Sequence, residues 1–242
     1  MLDNRRGLRP PPLSWQGGRV TEQAGPLRFL LGAVVHNEGP RLPEWFAHWQ
    51  PLSDNIAVIN QASTDDTAAA IAAAGIAQTF TTPIACYCEP DRNYLFKFLR
   101  DPIEPVLVID GDEFMSREHL IVALETMQKH PNISAWFLRR KNLIDGVDAS
   151  PLFQNPGDPK GYDWQLRLSR GFSLRWHEPH KYPECNGLVG YIDAEAAWLE
   201  HRRTYEQVKG RNGYRPGMPP QMLEMQAHFM ENVDKLLGKG GE

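Results

Sequence analysis

Two carboxylates separated by one glycine, Asp110-Gly111-Asp112, follow directly on the apolar run Val106-Leu107-Val108-Ile109. A short run with β-branched members reads as a buried strand, and the acidic cluster marks where the chain leaves the core. In extended backbone alternate side chains point the same way, so both carboxylates can face one cation while Gly111 keeps the space between them open. Hard oxygen ligands suit Mg2+ or Mn2+, and an ion held by one or two carboxylates retains positions for phosphate oxygens. A polar turn closing a strand would look the same in isolation. The surroundings favour a site: Ser116 caps a helix with Glu118 in its first turn and Leu120, Ile121, Leu124 and Met127 behind it, closed by Pro131. Open α/β sheets hold ligands at such strand-to-helix exits.

Other elements must bring further exits to the same edge. Phe29 to Val35 is a continuous apolar run, the pattern of a strand buried on both faces, and His36-Asn37-Glu38 follows it. A helix begins near Pro40, with Leu42, Trp45, Phe46 and Trp49 on one face. Residues 55–60 form a second strand, and Gln61 to Thr67 its exit loop. Ser63 can cap the alanine-rich helix of residues 67–74, with Asp66 completing a capping-box-like pair, and Gly75 stops it. Ala77 to Phe80 is a third short strand. This alternation predicts a doubly wound, mostly parallel α/β sheet with flanking helices, its exits 36–38, 60–66 and 110–114 gathered at one edge.

The second half has a mixed character. Ile133 to Leu138 reads as a strand, and Asp145 to Gly161 as a long loop of the kind that covers or binds ligands. Gln165 to Arg170 and Ser173 to Trp176 alternate and predict strands paired around Gly171, the second closed by His177-Glu178. Thr204 to Val208 starts a short helix. Gln221 to Leu237 suits an amphipathic helix through Met222, Met225, Phe229, Val233 and Leu236, packed on its own domain. Residues 1–26, with Arg9-Pro10-Pro11-Pro12 and little periodicity, have the composition of a tail.

The 242 residues suffice for one substantial α/β domain with appendages. A net charge of −4, from 26 basic and 30 acidic residues, disfavours nucleic acid as the main partner. No apolar run approaches transmembrane length, and the first lies too far from the start for a signal peptide. The expectation is a cytoplasmic protein, with a peripheral position at the inner membrane face left open. Cys86, Cys88 and Cys185 cannot all pair within one chain, which argues for buried thiols rather than a disulfide framework.

The order of these motifs resembles glycosyltransferase family 2, the nucleotide-sugar-dependent enzymes of GT-A fold, and in particular its short bacterial members. The resemblance rests on Val35-His36-Asn37-Glu38 with Leu42-Pro43-Glu44-Trp45, then Asn60 to Thr67 and Ile109 to Phe114. It continues through Arg167-Leu168-Ser169-Arg170, Trp176-His177-Glu178 and Leu199-Glu200-His201. It covers roughly residues 28 to 215 and implies a tail (1–26), a GT-A domain (27–215) with a smaller mixed acceptor-side region, and a C-terminal helix and tail (216–242). It further implies that Asn37, Glu38, Asn60, Ser63, Asp65 and Asp66 hold the base and ribose. Asp112 would bind the metal, Asp110 would lie nearer the ribose or a metal-bound water, and His201 would be the distant third ligand. Glu178 stands where similar enzymes carry the general base. Arg92, Lys209, Arg211 and Tyr214 are candidates for the diphosphate or a closing segment. Asn60 stands where Asp is common, and Gln165 where Lys is common, so the nucleotide stays open, with UDP-sugars favoured.

The implied activity is a metal-dependent, inverting transfer of a sugar from a nucleoside diphosphate to a hydroxyl on a glycan, lipid-linked or small acceptor. Mn2+ or Mg2+ would stabilise the departing diphosphate, and Glu178 would take the acceptor's proton. No second carboxylate presents itself as a nucleophile, which argues against retention. Glu184, Asp163 and Glu113 rival Glu178 as the base, and His177 and His180 rival His201 as the ligand. Two other functions remain: a GT-A nucleotide-binding module without turnover, and a sugar nucleotidyltransferase. The latter usually carries a Gly-rich loop where this chain has His36-Asn37-Glu38.

Overall fold

The computed structural model describes residues 25–83, 89–153, 158, 160–177, 182–211 and 220–239, with backbone alone at 210, 211, 220–223, 225 and 226. Glu178, His180, Cys86, Cys88, Tyr214 and nearly all of the expected tail lie outside the described residues.

The first half runs β1 (Leu27–Val35), α1 (Leu42–Trp49), β2 (Ser53–Gln61), α2 (Thr67–Ala73), β3 (Gln78–Thr82), α3 (Glu89–Leu95), β4 (Pro105–Ile109), β5 (Glu113–Phe114) and α4 (Arg117–Lys129). The second half runs β6 (Ile133–Ile144), β7 (Val147–Asp148), β8 (Asp163–Arg170), β9 (Leu174–Arg175), β10 (Glu184–Cys185), β11 (Leu188–Tyr191), β12 (Trp198–Arg203), α5 (Tyr205–Arg211) and α6 (Pro220–Leu236). The main sheet has the order β3-β2-β1-β4-β8-β6-β12-β5, with β7 and β11 also on β6. Pairs β3·β2, β2·β1, β1·β4, β6·β12 and β6·β11 are parallel. β8 enters antiparallel between β4 and β6, and β5 and β7 pair antiparallel at the far side. The architecture is the expected one, a mostly parallel α/β sheet with flanking helices and a more mixed second half.

Burial on both faces explains the continuous apolar strands. From β1, Phe29, Leu31, Ala33 and Val35 enter one core layer with the Leu42, Trp45, Phe46 and Trp49 face of α1 and with Leu120, Ala123 and Met127 of α4. Leu30 and Val34 enter the opposite layer with Leu95 and Phe96. β4 divides the same way, Leu107 and Ile109 to one side, Val106 and Val108 to the other. A fully buried side chain of this size contributes roughly 1.5–3 kcal/mol, so these layers hold β1 and β4 rigidly side by side, and their exits with them.

Three local expectations are corrected. Ser63 does not cap α2: its hydroxyl accepts from the Asn37 amide, while Asp66 occupies the cap position without a side-chain bond and Asp65 takes the Thr67 amide at 3.0 Å. The two segments around Gly171 are not a hairpin, because β8 pairs with β4 and β6 whereas β9 pairs with β10. Gly171 instead enters a 3-10 turn at φ +45°. The strand read as ending at Leu138 runs on to Ile144 through Arg139, Arg140 and Lys141.

The α6 face carrying Phe229, Met230 and Val233 packs on Ile144, Ala149, Val208, Leu152 and Phe153 in a small separate core. Of the residues read as its apolar face, Phe229 and Val233 pack on this chain, Leu236 is exposed, and the side chains of Met222 and Met225 lie outside the described residues. Among the described residues no helix is long and apolar enough to cross a membrane.

Candidate active site

The parallel register of β1, β2 and β4 brings their exits to one edge of the sheet. There the first two loops bind each other. Asn37, at φ 52°, donates its amide to Ser63 Oγ (3.0 Å), and its side-chain oxygen accepts the Thr64 amide (2.8 Å). The Glu38 amide donates to Thr67 Oγ1 (2.9 Å) and the Gly39 amide to Asp65 Oδ2 (3.0 Å). Asn60 is buried and accepts the Ser63 amide at 3.2 Å. Much of the polar capacity of Asn37, Asn60, Ser63 and Asp65 is thus used in fixing loop shape, while Glu38 lines the cleft that the loops border.

That cleft has a volume of about 1040 Å³, and its wall includes His36, Glu38, Gln61, Arg92, Asp110, Asp112, Arg140, Arg167, Trp176, Tyr182 and His201. Gly111 seats the acidic turn against the first exit. A Cβ there would lie 3.2 Å from Val35 Cγ1 and 3.3 Å from Glu38 Cγ. α3 joins the site through Asp91, whose Oδ2 accepts from Gln61 Nε2 and Thr82 Oγ1, each at 2.8 Å. The next residue, Arg92, thereby reaches the cleft floor.

On that floor three arginines alternate with three acids. Asp110 is clasped by Arg92 on one oxygen and by Arg167 on the other, at 2.6 Å. Arg167 also pairs with Glu113 (3.0 Å), Arg140 with Glu113 (3.3 Å) and Arg140 with Asp163 (2.8 Å). Burial opposes ionisation of Asp110, yet the charges of Arg167, Arg92 and Arg140 outweigh it and hold the carboxyl far below its usual range. Burial likewise disfavours charge on Arg167, and Asp110 and Glu113 reverse the effect and raise its pKa. Asp163 is lowered, burial again being overcome by Arg140 and then by the Asn142 hydrogen bond. Among the buried atoms without a hydrogen-bond partner are Nε of both Arg92 and Arg167.

Across Gly111 the second carboxylate has different company. Asp112 Oδ2 lies 3.0 Å from His201 Nε2 and 3.4 Å from Arg41, which also pairs with Glu38 at 3.1 Å. His201 Nδ1 meets Asn142 Oδ1 at 2.9 Å. The expected sites therefore separate. Asp112 and His201 come together across 89 residues of sequence, whereas both oxygens of Asp110 go to arginines. Asp112 and His201 fit a divalent cation: a carboxylate oxygen and an imidazole nitrogen stand adjacent on the cleft wall, with the other ring nitrogen held by an amide oxygen, the usual support for a ligating histidine. Among the described residues no group of three or more His, Cys, Asp or Glu is disposed as a metal cluster.

Lys209 is exposed on α5 beside the ring of Tyr205, and is not among the residues lining the cleft. Asp66 does not line it either, and of the rival acids Glu113 and Asp163 are committed to arginine pairs. The sequence reading missed Arg140, Asn142 and Gln61 as site residues. The basic run 139–141 inside an apolar strand was the available signal for the first two.

No family model matches the chain, and no curated protein does. Among solved structures it is similar to residues 1–349 of S. aureus TarS, with a TM-score of 0.47, 13% identity, and coverage of 88% of this chain and 70% of that one. It is also similar to glucosyl-3-phosphoglycerate synthase from Mycobacterium tuberculosis in complex with Mn2+, UDP-glucose and phosphoglyceric acid. There the TM-score is 0.44 and the identity 14%, covering 87% of this chain and 80% of that one.

Proposed function

We propose that this chain is a glycosyltransferase of GT-A type, akin to family 2, which moves a sugar with inversion from a nucleoside diphosphate, UDP first among them, to an acceptor hydroxyl. The observation that carries the proposal is the meeting of Asp112 with His201 at 3.0 Å on the wall of a cleft whose floor is rich in arginine. A divalent cation, Mn2+ or Mg2+, bound by this pair would supply positive charge to the diphosphate as it departs.

The chain's own groups supply the rest. Arg92 and Arg167 line the cleft and bring it positive charge suited to phosphate oxygens. Asp110 holds both guanidinium groups in position, so its service to the donor runs through the arginines as well as toward the ribose. Asn37, Asn60, Ser63 and Asp65 fix the loops that border the base and ribose side, where Glu38 lines the cleft and Gln61 brings an amide to its wall. Glu178 takes the proton from the attacking hydroxyl. In support, the residues bracketing it in sequence, Trp176 and Tyr182, both line the cleft. The Trp176 amide is pinned by Asn93 Oδ1 at 2.9 Å.

Transfer and hydrolysis assays over a panel of UDP-, GDP-, CDP- and dTDP-sugars, with and without Mn2+, test the proposal. Turnover of one donor that requires the metal is expected. Glu178→Gln should bind that donor and fail to transfer, and a fully active Glu178→Gln would remove Glu178 as the base.

A further inference from the structure

Beyond the cleft wall a run of aromatic rings continues along one face of the sheet. Phe137 on β6 stands directly across the ladder from Tyr191 on β11 and from Leu166 on β8, and Leu166 lines the cleft. Directly paired residues project to one face, and two residues further along that face Arg139 stands opposite Trp164. Tyr182, itself on the cleft wall, meets the Phe137 ring nearly at right angles, 5.3 Å between centres. Phe137 stacks on Tyr191 at 4.9 Å, Tyr191 meets Trp164 at 5.0 Å, and Trp164 meets Tyr162 at 5.8 Å. The run therefore starts at the cleft and leads away from it.

The polar tips of these rings are tied down. Tyr182 Oη donates to the Trp164 carbonyl (2.9 Å), Trp164 Nε1 to Asp158 Oδ2 (2.8 Å), and Tyr162 Oη to Glu195 Oε1 (2.6 Å), which Arg139 also meets at 3.0 Å. Even so, Tyr191 is 61% exposed and Tyr182 56%. Ring surface is thus both fixed and open, which lowers the ordering cost of binding. The rim carries both signs, Arg139 and Lys160 beside the ring of Tyr162 against Glu195 and Asp158. It offers hydrogen bonds without a net pull on a charged ligand. A pyranose has the matching make-up: a face of C–H groups to pack on an aromatic ring, with hydroxyls around its edge for polar groups. An alkyl chain would have nothing to offer such a rim.

We propose that this run is a platform for a neutral saccharide, on which the acceptor's sugar rings lie across Tyr182 and Tyr191 while its reacting hydroxyl enters the cleft. The role as acceptor rests on the function proposed above; the binding of saccharide does not.

Saturation-transfer NMR and calorimetric titration of the full chain with cellotetraose, maltotetraose and tetra-N-acetylchitotetraose test this. At least one of these neutral tetrasaccharides should bind wild type. Tyr191→Leu, which keeps apolar bulk and removes the ring, should weaken that binding roughly 3- to 10-fold, whereas Tyr191→Phe should bind as wild type does. Ile103→Ala removes an equally exposed apolar side chain ahead of β4, at the end of that strand away from Asp110, and should also bind as wild type does. Should Tyr191→Leu fail to fold, Tyr182→Leu at the other exposed ring carries the same expectation. Binding of none of the three saccharides, or equal binding by the leucine variants, overturns the inference. So does retention of wild type on phosphatidylglycerol vesicles, or a dimer, that Tyr191→Leu abolishes, since either assigns the rings to another occupant. Wild type that binds a tetrasaccharide through Tyr191 but no nucleoside diphosphate with Mn2+ upholds the platform and contradicts the transferase reading instead.

Discussion

Replacing Arg167 by methionine tests the electrostatic floor of the cleft. The guanidinium, on a side chain only 5% exposed, meets Asp110 at 2.6 Å and Glu113 at 3.0 Å. The ensemble of Arg92, Arg140 and Arg167 with Asp110, Glu113 and Asp163 is charge-balanced, and the substitution leaves one negative charge uncompensated. Breaking a buried pair from one side costs about 3–5 kcal/mol. The lower end applies, because Asp110 keeps Arg92 and Glu113 keeps Arg140. For a chain of this size about 3 kcal/mol lowers Tm by roughly 6–12 °C.

The loss should also depend on pH. The folded-state pKa of Asp110 is depressed, so its stabilisation is present above its ordinary value of 3.8 and is lost as pH falls below it. With Arg167 gone the depression is smaller. The stability gap between wild type and variant should therefore narrow on acidification below about pH 4. Adding Asp110→Asn to the variant should recover part of the loss near neutral pH. Calorimetric unfolding across pH reads all three effects. A Tm within about 2 °C of wild type, or a gap that widens in acid, would show that Arg167 does not neutralise this floor.

Gly171→Ala should destabilise severely, with loss of soluble protein or a large drop in the thermal midpoint. The residue sits at φ +45°, and its Cβ would lie 1.8 Å from the Pro102 carbonyl oxygen, a backbone atom. Ser116→Ala removes a cap that accepts the His119 amide at 3.2 Å and should cost about 1 kcal/mol in denaturant unfolding. Lys209→Ala should leave donor turnover unchanged, because this exposed side chain is not among the residues lining the cleft; a fall in kcat would return it to the site.

The sheet's first half was legible in the sequence because β1, β2 and β4 are buried on both faces, and a doubly buried strand has to be a continuous apolar run. The helix faces of α1 and α4 were legible for the related reason that one stripe of each meets the core. What escaped was set by partners distant in the chain. Ser63 has the composition and place of a cap, but a hydroxyl can serve the Asn37 amide equally well, and the loop contact prevailed. β8 and β9 alternate as a hairpin would, yet β8 lies between β4 and β6 and β9 pairs with β10. The ionic floor depends on β8 lying beside β6 and β4, and the Asn142 support on the β6·β12 register. The carboxylates themselves were read correctly as lying at a strand exit, while their division of labour across Gly111 became visible only with the arginines in place.

In the proposed function, Asp112 and His201 hold a cation that binds a nucleoside diphosphate in this cleft. Calorimetric titration of UDP into wild type, Asp112→Ala and His201→Ala, each with and without Mn2+, tests it most directly. Wild type is expected to bind UDP in a Mn2+-dependent manner, and each variant to bind it roughly tenfold or more weakly, with both variants still folded. Wild-type protein that binds none of UDP, GDP, CDP and dTDP in the presence of Mn2+, or variants that bind as wild type does, would contradict it.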